Sequence, residues 1–308
     1  MPNPSFDAVD HLLALDPGRR GIAAFFPPGA ARRAAVALTD CQRVLITTGF
    51  IVEPKMAETD GPPGAAVLGR ALRRLGAEVG YVTDAESIPV VAAALRALGE
   101  PPDVHAYGDG PLAAADILHR ARPTHLVAIE RPARGRSGDY LNMRGHSVAK
   151  WNRPIDELFI GSDGAPARSK RGWPVRGGGG SVRRTVPVGR PITVGVGDGG
   201  NEIGMGNVRG RLVRQGPLMA RIAATVTVDH LVVAGVSNWG AYGIVAHLAH
   251  LAGQPLLHTP AQERELVAAC VEAGASDGVT RRREPTVDAL PLDVHASVVA
   301  LLGVSWGP

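Results

Sequence analysis

Short apolar segments alternate with longer amphipathic segments along most of this chain. The short segments are rich in β-branched residues and have the length of buried strands, whereas the longer ones have the apolar spacing of helices. Such alternation with short connections is typical of an α/β protein. It predicts a mostly parallel sheet with helices on both faces, Rossmann-like, and one α/β domain over residues 1–308. The predicted strands are 43–46, 79–83, 104–107, 125–129, 192–196 and, within the apolar segment 226–236, 231–236. The predicted helices are 28–38, 65–75, 88–98, 111–121, 241–251, 262–273 and 295–302.

Polar residues follow four of these strands at the points where the strands end. Thr48 follows the first strand, Asp84 the second, Glu130 the fourth and Asp198 the fifth. Because the carboxyl ends of parallel strands meet at one edge of a sheet, ligands of α/β proteins bind there. The pattern therefore predicts a functional site at this edge.

The segment 191–207, PITVGVGDGGNEIGMGN, surrounds Asp198, Asn201 and Glu202 with six glycines. It contains a formal G-x-G-x-x-G pattern, which on its own is weak evidence for a dinucleotide. No acidic residue lies about 20 residues further on to hold a ribose, and the two carboxylates would repel a pyrophosphate. Carboxylates and an amide in a glycine turn instead suit a hard cation, an ammonium group or a proton transfer. The alternative is a plain strand-to-helix turn with solvated acids.

Two further segments place polar groups after predicted strands. The run 130–145, ERPARGRSGDYLNMRG, offers Glu130, Arg131, Asn142 and Arg144, and could also be an ordinary surface loop. Before the helix 241–251, Ser237 and Asn238 are candidate caps or contacts for a carboxylate. Asp60 is in the same way a candidate cap of the helix 65–75. We predict that one cleft is lined by Thr48, Glu130, Asn142, Arg144, Asp198, Asn201, Glu202, Ser237 and Asn238.

Composition narrows the class of protein. The formal net charge of +4 and the few aromatic residues do not favour nucleic-acid binding. Two cysteines exclude a disulfide framework or a CxxC metal site, and no signal peptide or membrane-length apolar run is seen, so a cytoplasmic location is expected.

Residues 161–190 combine glycine, serine and proline with many basic residues, which predicts a flexible basic insertion or lid. The arginine-rich turn 16–21 is either solvated or in contact with an anion.

The motifs GDGGNEIGMGN (197–207), ERPARGRSGDYLNMRG (130–145), VSNWGAYG (236–243), TTGF (47–50) and ETDGPPG (58–64) resemble those of the D-glutamate cyclase family. The segments 277–280 and 286–291 fit the C-terminal part of that family, so the resemblance covers nearly the whole chain in the same order. The longer and more basic segment 161–190 departs from the family pattern, as does the lack of a cysteine in 222–229. The resemblance implies a lyase that cyclises D-glutamate to 5-oxo-D-proline with a divalent ion, Mg²⁺ or Mn²⁺.

Lactam formation requires a base for the ammonium group, an electrophile for the γ-carboxylate and a clamp for the α-carboxylate. We assign Glu130, Asp198 and Glu202 as catalytic candidates, with Glu130 as the base and with Asp198 and Glu202 as metal ligands. Arg131 or Arg144 is the candidate clamp. The other hypotheses are a nucleotide-binding α/β protein and a related lyase or hydrolase of another amino acid or lactam, including lactam opening. The expected partner is a small amino acid, with no nucleic acid or membrane; a homo-oligomer is left open.

Overall fold

The computed structural model describes residues 7–54, 56–160 and 190–304. The predicted flexible insertion therefore lies, apart from Arg190, outside the described residues. The strands are β1 Arg43–Thr48, β2 Ile51–Glu53, β3 Met56–Ala57, β4 Glu78–Thr83, β5 Val104–Ala106, β6 His125–Ile129, β7 Ile192–Gly197, β8 His230–Val233, β9 Thr286–Val287 and β10 Leu290–Pro291. The α-helices are α1 Ala8–Leu13, α2 Ala30–Leu38, α3 Pro62–Arg74, α4 Ile88–Ala97, α5 Ala113–Ala121, α6 Glu157–Ile160, α7 Arg209–Leu212, α8 Pro217–Ile222, α9 Ser237–Ala252, α10 Pro260–Glu272 and α11 Leu292–Val304.

Six strands form one parallel sheet in the order β5-β4-β1-β6-β7-β8. The helices lie around this sheet, so the predicted α/β fold is confirmed. The chain starts in the middle with β1, adds strands outward to β5, and then crosses back to β6 on the other side of β1. This reversal is the switch point at which the strand order of Rossmann-type sheets opens a crevice for ligands. It lies between Thr48 at the end of β1 and Ile129 at the end of β6, which pair in register.

The apolar residues of the strands and of the facing helix sides build one main core. The residues 44–46 of β1, 126–129 of β6 and 231–233 of β8 are buried on both faces, as expected for the strands of a covered parallel sheet. Helix α9 runs along this core and is in contact with α2 and α3. None of the described helices is both long and apolar enough to cross a membrane.

Two element boundaries differ from the sequence prediction. The predicted strand 231–236 is shifted in the structure, because β8 spans His230–Val233 and so begins one residue earlier and ends three residues earlier. On its amino-terminal side, the carbonyl oxygen of Val226 accepts from the amides of Gly204 and Gly206, so this segment follows the glycine turn and leaves the sheet. Helix α9 begins at Ser237, four residues before the predicted start, because Asp60 accepts hydrogen bonds from its first amides.

Candidate functional site

The ends of β1, β6 and the start of α9 meet at the switch point of the sheet. Ser237 donates its hydroxyl to Oε2 of Glu130 at 2.5 Å, which joins the segment after β8 to the segment after β6. Gly61 fills the space between Thr48 and Glu130: a Cβ atom there would lie 2.5 Å from Oγ1 of Thr48 and 2.9 Å from Cβ of Glu130. Thr48 Oγ1 is buried and has no hydrogen-bond partner within the described part of the chain. The predicted convergence of Thr48, Glu130 and Ser237 is therefore present.

Glu130 adopts an unusual backbone conformation for a side chain of its kind. Its φ angle is +44°, in the left-handed region that costs a non-glycine residue about 1–2 kcal/mol. The residue is nevertheless buried, with 5% of its surface exposed. Strained residues of this kind are concentrated at functional sites, where the surrounding structure holds them in place.

The glycine turn after β7 is held by one of its own carboxylates. Glu202 accepts from the amides of Gly199 and Gly200, both at 2.7 Å, and from that of Asp198 at 3.3 Å. These are the amides that a phosphate would need if the turn bound a nucleotide. Because Glu202 already satisfies them and adds a negative charge, the geometry disfavours the nucleotide hypothesis.

Carboxylates from distant parts of the chain gather around Asp198. Oxygen atoms of Glu130, Asp198 and Glu202 lie within 4.8 Å of one another, and so do oxygen atoms of Asp60, Asp198 and Asp288. Asp198 belongs to both groups and therefore lies at their centre. Hard oxygen ligands in such a cluster are those that Mg²⁺ and Mn²⁺ prefer, so the donor set fits the divalent ion that the sequence suggested.

Burial and mutual repulsion raise the pKa values of these carboxyl groups. Desolvation raises the pKa of Glu130 well above its ordinary value, and the charges of Glu202, Asp60 and Glu58 raise it further. Desolvation also raises the pKa of Asp198, against the lowering effect of Arg20. The pKa of Asp60 rises to about 8, through desolvation and the charge of Asp288. Burial therefore disfavours the charged forms of these carboxyl groups unless positive charge is brought to the cluster.

Arg20 brings a positive charge to this cluster. Its guanidinium group pairs with Asp198, and it forms a two-pronged contact with Asp288 at 2.8 and 3.1 Å. Of the two readings of the arginine-rich turn 16–21, contact with an anion is the one observed, and the anions are the protein's own carboxylates. The Arg20 side chain is 16% exposed, against 3% for Asp198, so it covers the cluster on its more open side.

The candidate clamp Arg131 has different partners from those suggested. Its side chain is fully buried, pairs with Asp84, and donates to the carbonyl oxygens of Gly49 and Arg153, both at 2.8 Å. These contacts join the ends of β1 and β4 to the loop after β6. Arg131 therefore connects the segments around the site and is not part of the carboxylate cluster.

The remaining candidates lie at the edge of the site or in its framework. Asn201 donates to the carbonyl oxygen of Leu141 at 2.7 Å and so joins the glycine turn to the loop 141–146. In that loop, Asn142 accepts from the amides of Arg144 and His146, and Arg144 is exposed. Asn142 and Arg144 are thus outside the buried cluster, and the predicted single cleft is only partly assembled.

Asp60 and Asn238 correct the sequence-based expectation about helix caps. Asp60 does not cap α3, which follows it, but accepts from the amides of Ser237 and Asn238 at the start of α9. Asn238 in turn accepts from the amides of Gly61 and Gly64 at the start of α3. Ser237 and Asn238 are the first residues of α9, and neither caps it through its side chain.

Sequence reasoning missed Arg20, Glu58, Asp60 and Asp288 as members of the site. The signal for Asp60 was its position in the motif 58–64, where Gly61 separates it from two prolines. The signal for Asp288 was its position in the segment 286–291, which fits the family pattern but has no periodic pattern of its own.

Comparison with known proteins identifies the family of this chain. A family model described as "D-glutamate cyclase-like, C-terminal" matches residues 9–173 and 182–303. The chain belongs to this family. It is 34% identical over 260 residues to the human protein named "D-glutamate cyclase, mitochondrial", and the match covers 78% of this chain and 38% of the human protein. The chain therefore corresponds to less than half of the length of that relative. The resemblance drawn from the motifs is confirmed.

Two solved structures that match this chain are less similar to it in sequence than the human protein is. An exopolyphosphatase-related protein from Bacteroides fragilis is 7% identical, with a TM-score of 0.43, over 91% of this chain and 57% of that chain. The exonuclease RecJ bound to manganese is 13% identical, with a TM-score of 0.37, over 80% of this chain and 44% of that chain. TM-scores below 0.5 do not establish a common fold, so the functional argument rests on the D-glutamate cyclase family.

Proposed function

We propose that this chain is a lyase that cyclises D-glutamate to 5-oxo-D-proline with the release of water. Two findings support the proposal: membership in the D-glutamate cyclase-like family and the carboxylate cluster at the switch point of the sheet. The observation that carries it is Glu130, a buried carboxyl group with a raised pKa, held by Ser237 beside Asp198 and Glu202. A buried carboxyl group whose pKa is raised by desolvation and by neighbouring carboxylates is a candidate general acid or base.

The reaction joins the substrate's own amine to its own γ-carboxyl carbon. A proton must leave the ammonium group before the nitrogen can attack, and one γ-carboxyl oxygen must leave as water. In our proposal Glu130 takes one proton from the ammonium group before the attack and a second from the nitrogen after it. It passes each proton to the departing γ-carboxyl oxygen, which leaves as water, so that the carboxylate of Glu130 is regenerated in each cycle. The hydroxyl of Ser237 orients Oε2 of Glu130 through its hydrogen bond.

Asp198 and Glu202 are the proposed ligands of a divalent ion, and Glu130 lies within the same group of oxygens. A bound Mg²⁺ or Mn²⁺ ion would supply an electrophile for the γ-carboxyl group. Glu202 has a second task, because its oxygens already hold the amides of the glycine turn. Asp198, whose side chain pairs only with Arg20 among the described residues, is therefore the better placed of the two as a dedicated ligand.

The α-carboxylate needs a separate positive partner. The amino terminus of α9 is already occupied by Asp60 and Arg131 is engaged with Asp84, so neither is free to bind it. Arg144 remains the candidate clamp. It is exposed, and its loop is joined to the glycine turn by the hydrogen bond from Asn201 to Leu141.

The proposal is tested by incubating the purified protein with D-glutamate or L-glutamate, each with Mg²⁺, Mn²⁺ or a chelator, followed by chiral separation of any 5-oxoproline. We expect 5-oxo-D-proline from D-glutamate in the presence of a divalent ion, and much less product from L-glutamate. Incubation with 5-oxo-D-proline tests the opening direction in the same assay. No turnover of either glutamate enantiomer, with either metal, would contradict the proposed activity.

A further inference from the structure

Arg20 is held in place by the loop that carries it. Asp16 accepts from the amide of Arg20 at 2.8 Å and from that of Gly21 at 2.7 Å, which closes the loop upon itself. The residues on either side of Arg20 have positive φ angles, +53° at Arg19 and +72° at Gly21. The position of the guanidinium group over the carboxylate cluster is thus specified by the local backbone.

Asp288, the second partner of Arg20, is presented by a strained hairpin. The two residues between β9 and β10, Asp288 and Ala289, have φ angles of +54° and +63°. Two-residue hairpin turns of this kind favour asparagine and glycine, so each of these residues carries a cost in free energy. Asp277 stabilises the turn by accepting from the amide of Ala289 at 2.7 Å and from the hydroxyl of Thr286 at 2.8 Å.

Asp198 therefore has two possible cationic partners, Arg20 and a metal ion. Arg20 pairs with its carboxylate, while Glu130 and Glu202 complete with it the group of oxygens suited to a metal ion. A guanidinium group and a divalent cation on one carboxylate repel each other strongly in a site with little water. The contact of Arg20 with Asp288 does not involve Asp198, so Arg20 can leave Asp198 and keep a partner.

We propose that Arg20 is a positioning residue that neutralises Asp198 in the metal-free protein and is displaced toward Asp288 when a divalent cation binds. Arg20 thus acts as an exchangeable counter-cation. In the absence of metal it offsets the repulsion between the buried carboxylates, and because it competes with the metal for Asp198, it lowers the affinity for the metal. The strained hairpin holds the carboxylate that retains Arg20 after the exchange. This inference rests on the proposed divalent-metal site.

The test is the affinity for Mn²⁺, measured by titration calorimetry on the 308-residue chain without substrate. Arg20→Met removes the competing charge while keeping an unbranched side chain, and we expect it to bind Mn²⁺ at least about tenfold more tightly than the wild type. The matched control is Arg19→Met, which removes the same charge from the exposed neighbouring residue of the same loop and should change the affinity less than about threefold. A purely structural role for Arg20 would lower the affinity or leave it unchanged, and would not raise it.

The outcomes separate this inference from the proposed metal site. Binding by the wild type without a gain in Arg20→Met overturns the role of Arg20 and leaves the metal site standing. No binding by either protein overturns both. If Arg20→Met does not fold without metal, the exchange predicts that added Mn²⁺ restores its cooperative melting transition, because the cation replaces the lost charge. A variant that stays unfolded in excess Mn²⁺ would count against the proposal.

Discussion

Asp60 and Asn238 cap each other's helices. The carboxylate of Asp60, just before α3, accepts from the first amides of α9 at 2.8–2.9 Å. The amide oxygen of Asn238, in the first turn of α9, accepts from Gly61 and Gly64 at the start of α3, at 3.0 and 2.8 Å. This reciprocal arrangement fixes the two helix ends against each other directly beside Glu130 and Ser237. The site is therefore built on two rigid helix ends.

We expect Asn238→Ala to destabilise the protein by about 1–3 kcal/mol, because it removes the side-chain acceptor of the buried Gly64 amide, whereas the Gly61 amide keeps Asp60 as an acceptor. The measurement is the free energy of unfolding in urea. Ser297→Ala is the control, because it also removes a hydrogen-bonding side chain from a helix, at an exposed position, and should cost less than about 0.5 kcal/mol. Equal stability of the two variants would show that the cap at α3 contributes nothing.

We expect substitution of Arg131 to lower the stability of the protein, because Arg131 and its partner Asp84 are both buried. Arg131→Gln leaves that carboxylate without its counter-charge, and breaking a buried ion pair in this way costs about 3–5 kcal/mol. The free energy of unfolding of Arg131→Gln should fall accordingly. A variant of wild-type stability whose KM for glutamate has increased would instead restore Arg131 to its sequence-predicted role as a clamp.

The raised pKa of Glu130 predicts that its contribution to stability decreases as the pH rises. Its pKa in the folded protein lies above the ordinary value of 4.5, so the protonated form is favoured by folding. The stability that this group contributes is therefore complete below about pH 4.5 and is lost as the pH rises through the folded-state pKa. Without metal, Glu130→Gln should melt at a higher temperature than the wild type at pH 8, and the difference should shrink or reverse at pH 4.

The check on this prediction is a series of melting curves of both proteins in chelator from pH 4 to pH 9. Glutamine keeps the shape of the side chain and an oxygen acceptor for Ser237, so the comparison isolates the charge. A gap between the two melting temperatures that is independent of pH would show that Glu130 does not titrate differently on folding.

The sheet and part of the site could be predicted from the sequence because both depend on local patterns. Apolar runs located the central strands, and the rule that ligands bind at strand ends placed Thr48, Glu130 and Asp198 on one edge. Arg131 illustrates the limit of such reasoning. It is adjacent to Glu130 in the chain, but successive side chains at a strand end point in different directions, and Arg131 lies beneath the site with Asp84.

Arg20 and Asp288 could not be found from the sequence for a different reason. They lie 268 positions apart, and nothing in the sequence of either turn indicates that the other turn is its partner. Their contact with each other depends on how the N-terminal loop and the C-terminal hairpin pack onto the sheet. Tertiary packing of this kind leaves no periodic signal in either segment.

In the proposed function, the carboxylates around Asp198 carry out the cyclisation. This role is tested most directly by kcat/KM for 5-oxo-D-proline formation by Asp198→Asn, measured with saturating Mn²⁺ beside the melting temperature of the same protein. Asparagine nearly preserves the shape of the side chain and removes its charge. We predict a melting temperature close to that of the wild type and a loss of about ten- to a hundredfold in kcat/KM, which corresponds to the roughly 1.5–3 kcal/mol of one charge-assisted contact. Unchanged turnover in a stable Asp198→Asn protein would contradict the account.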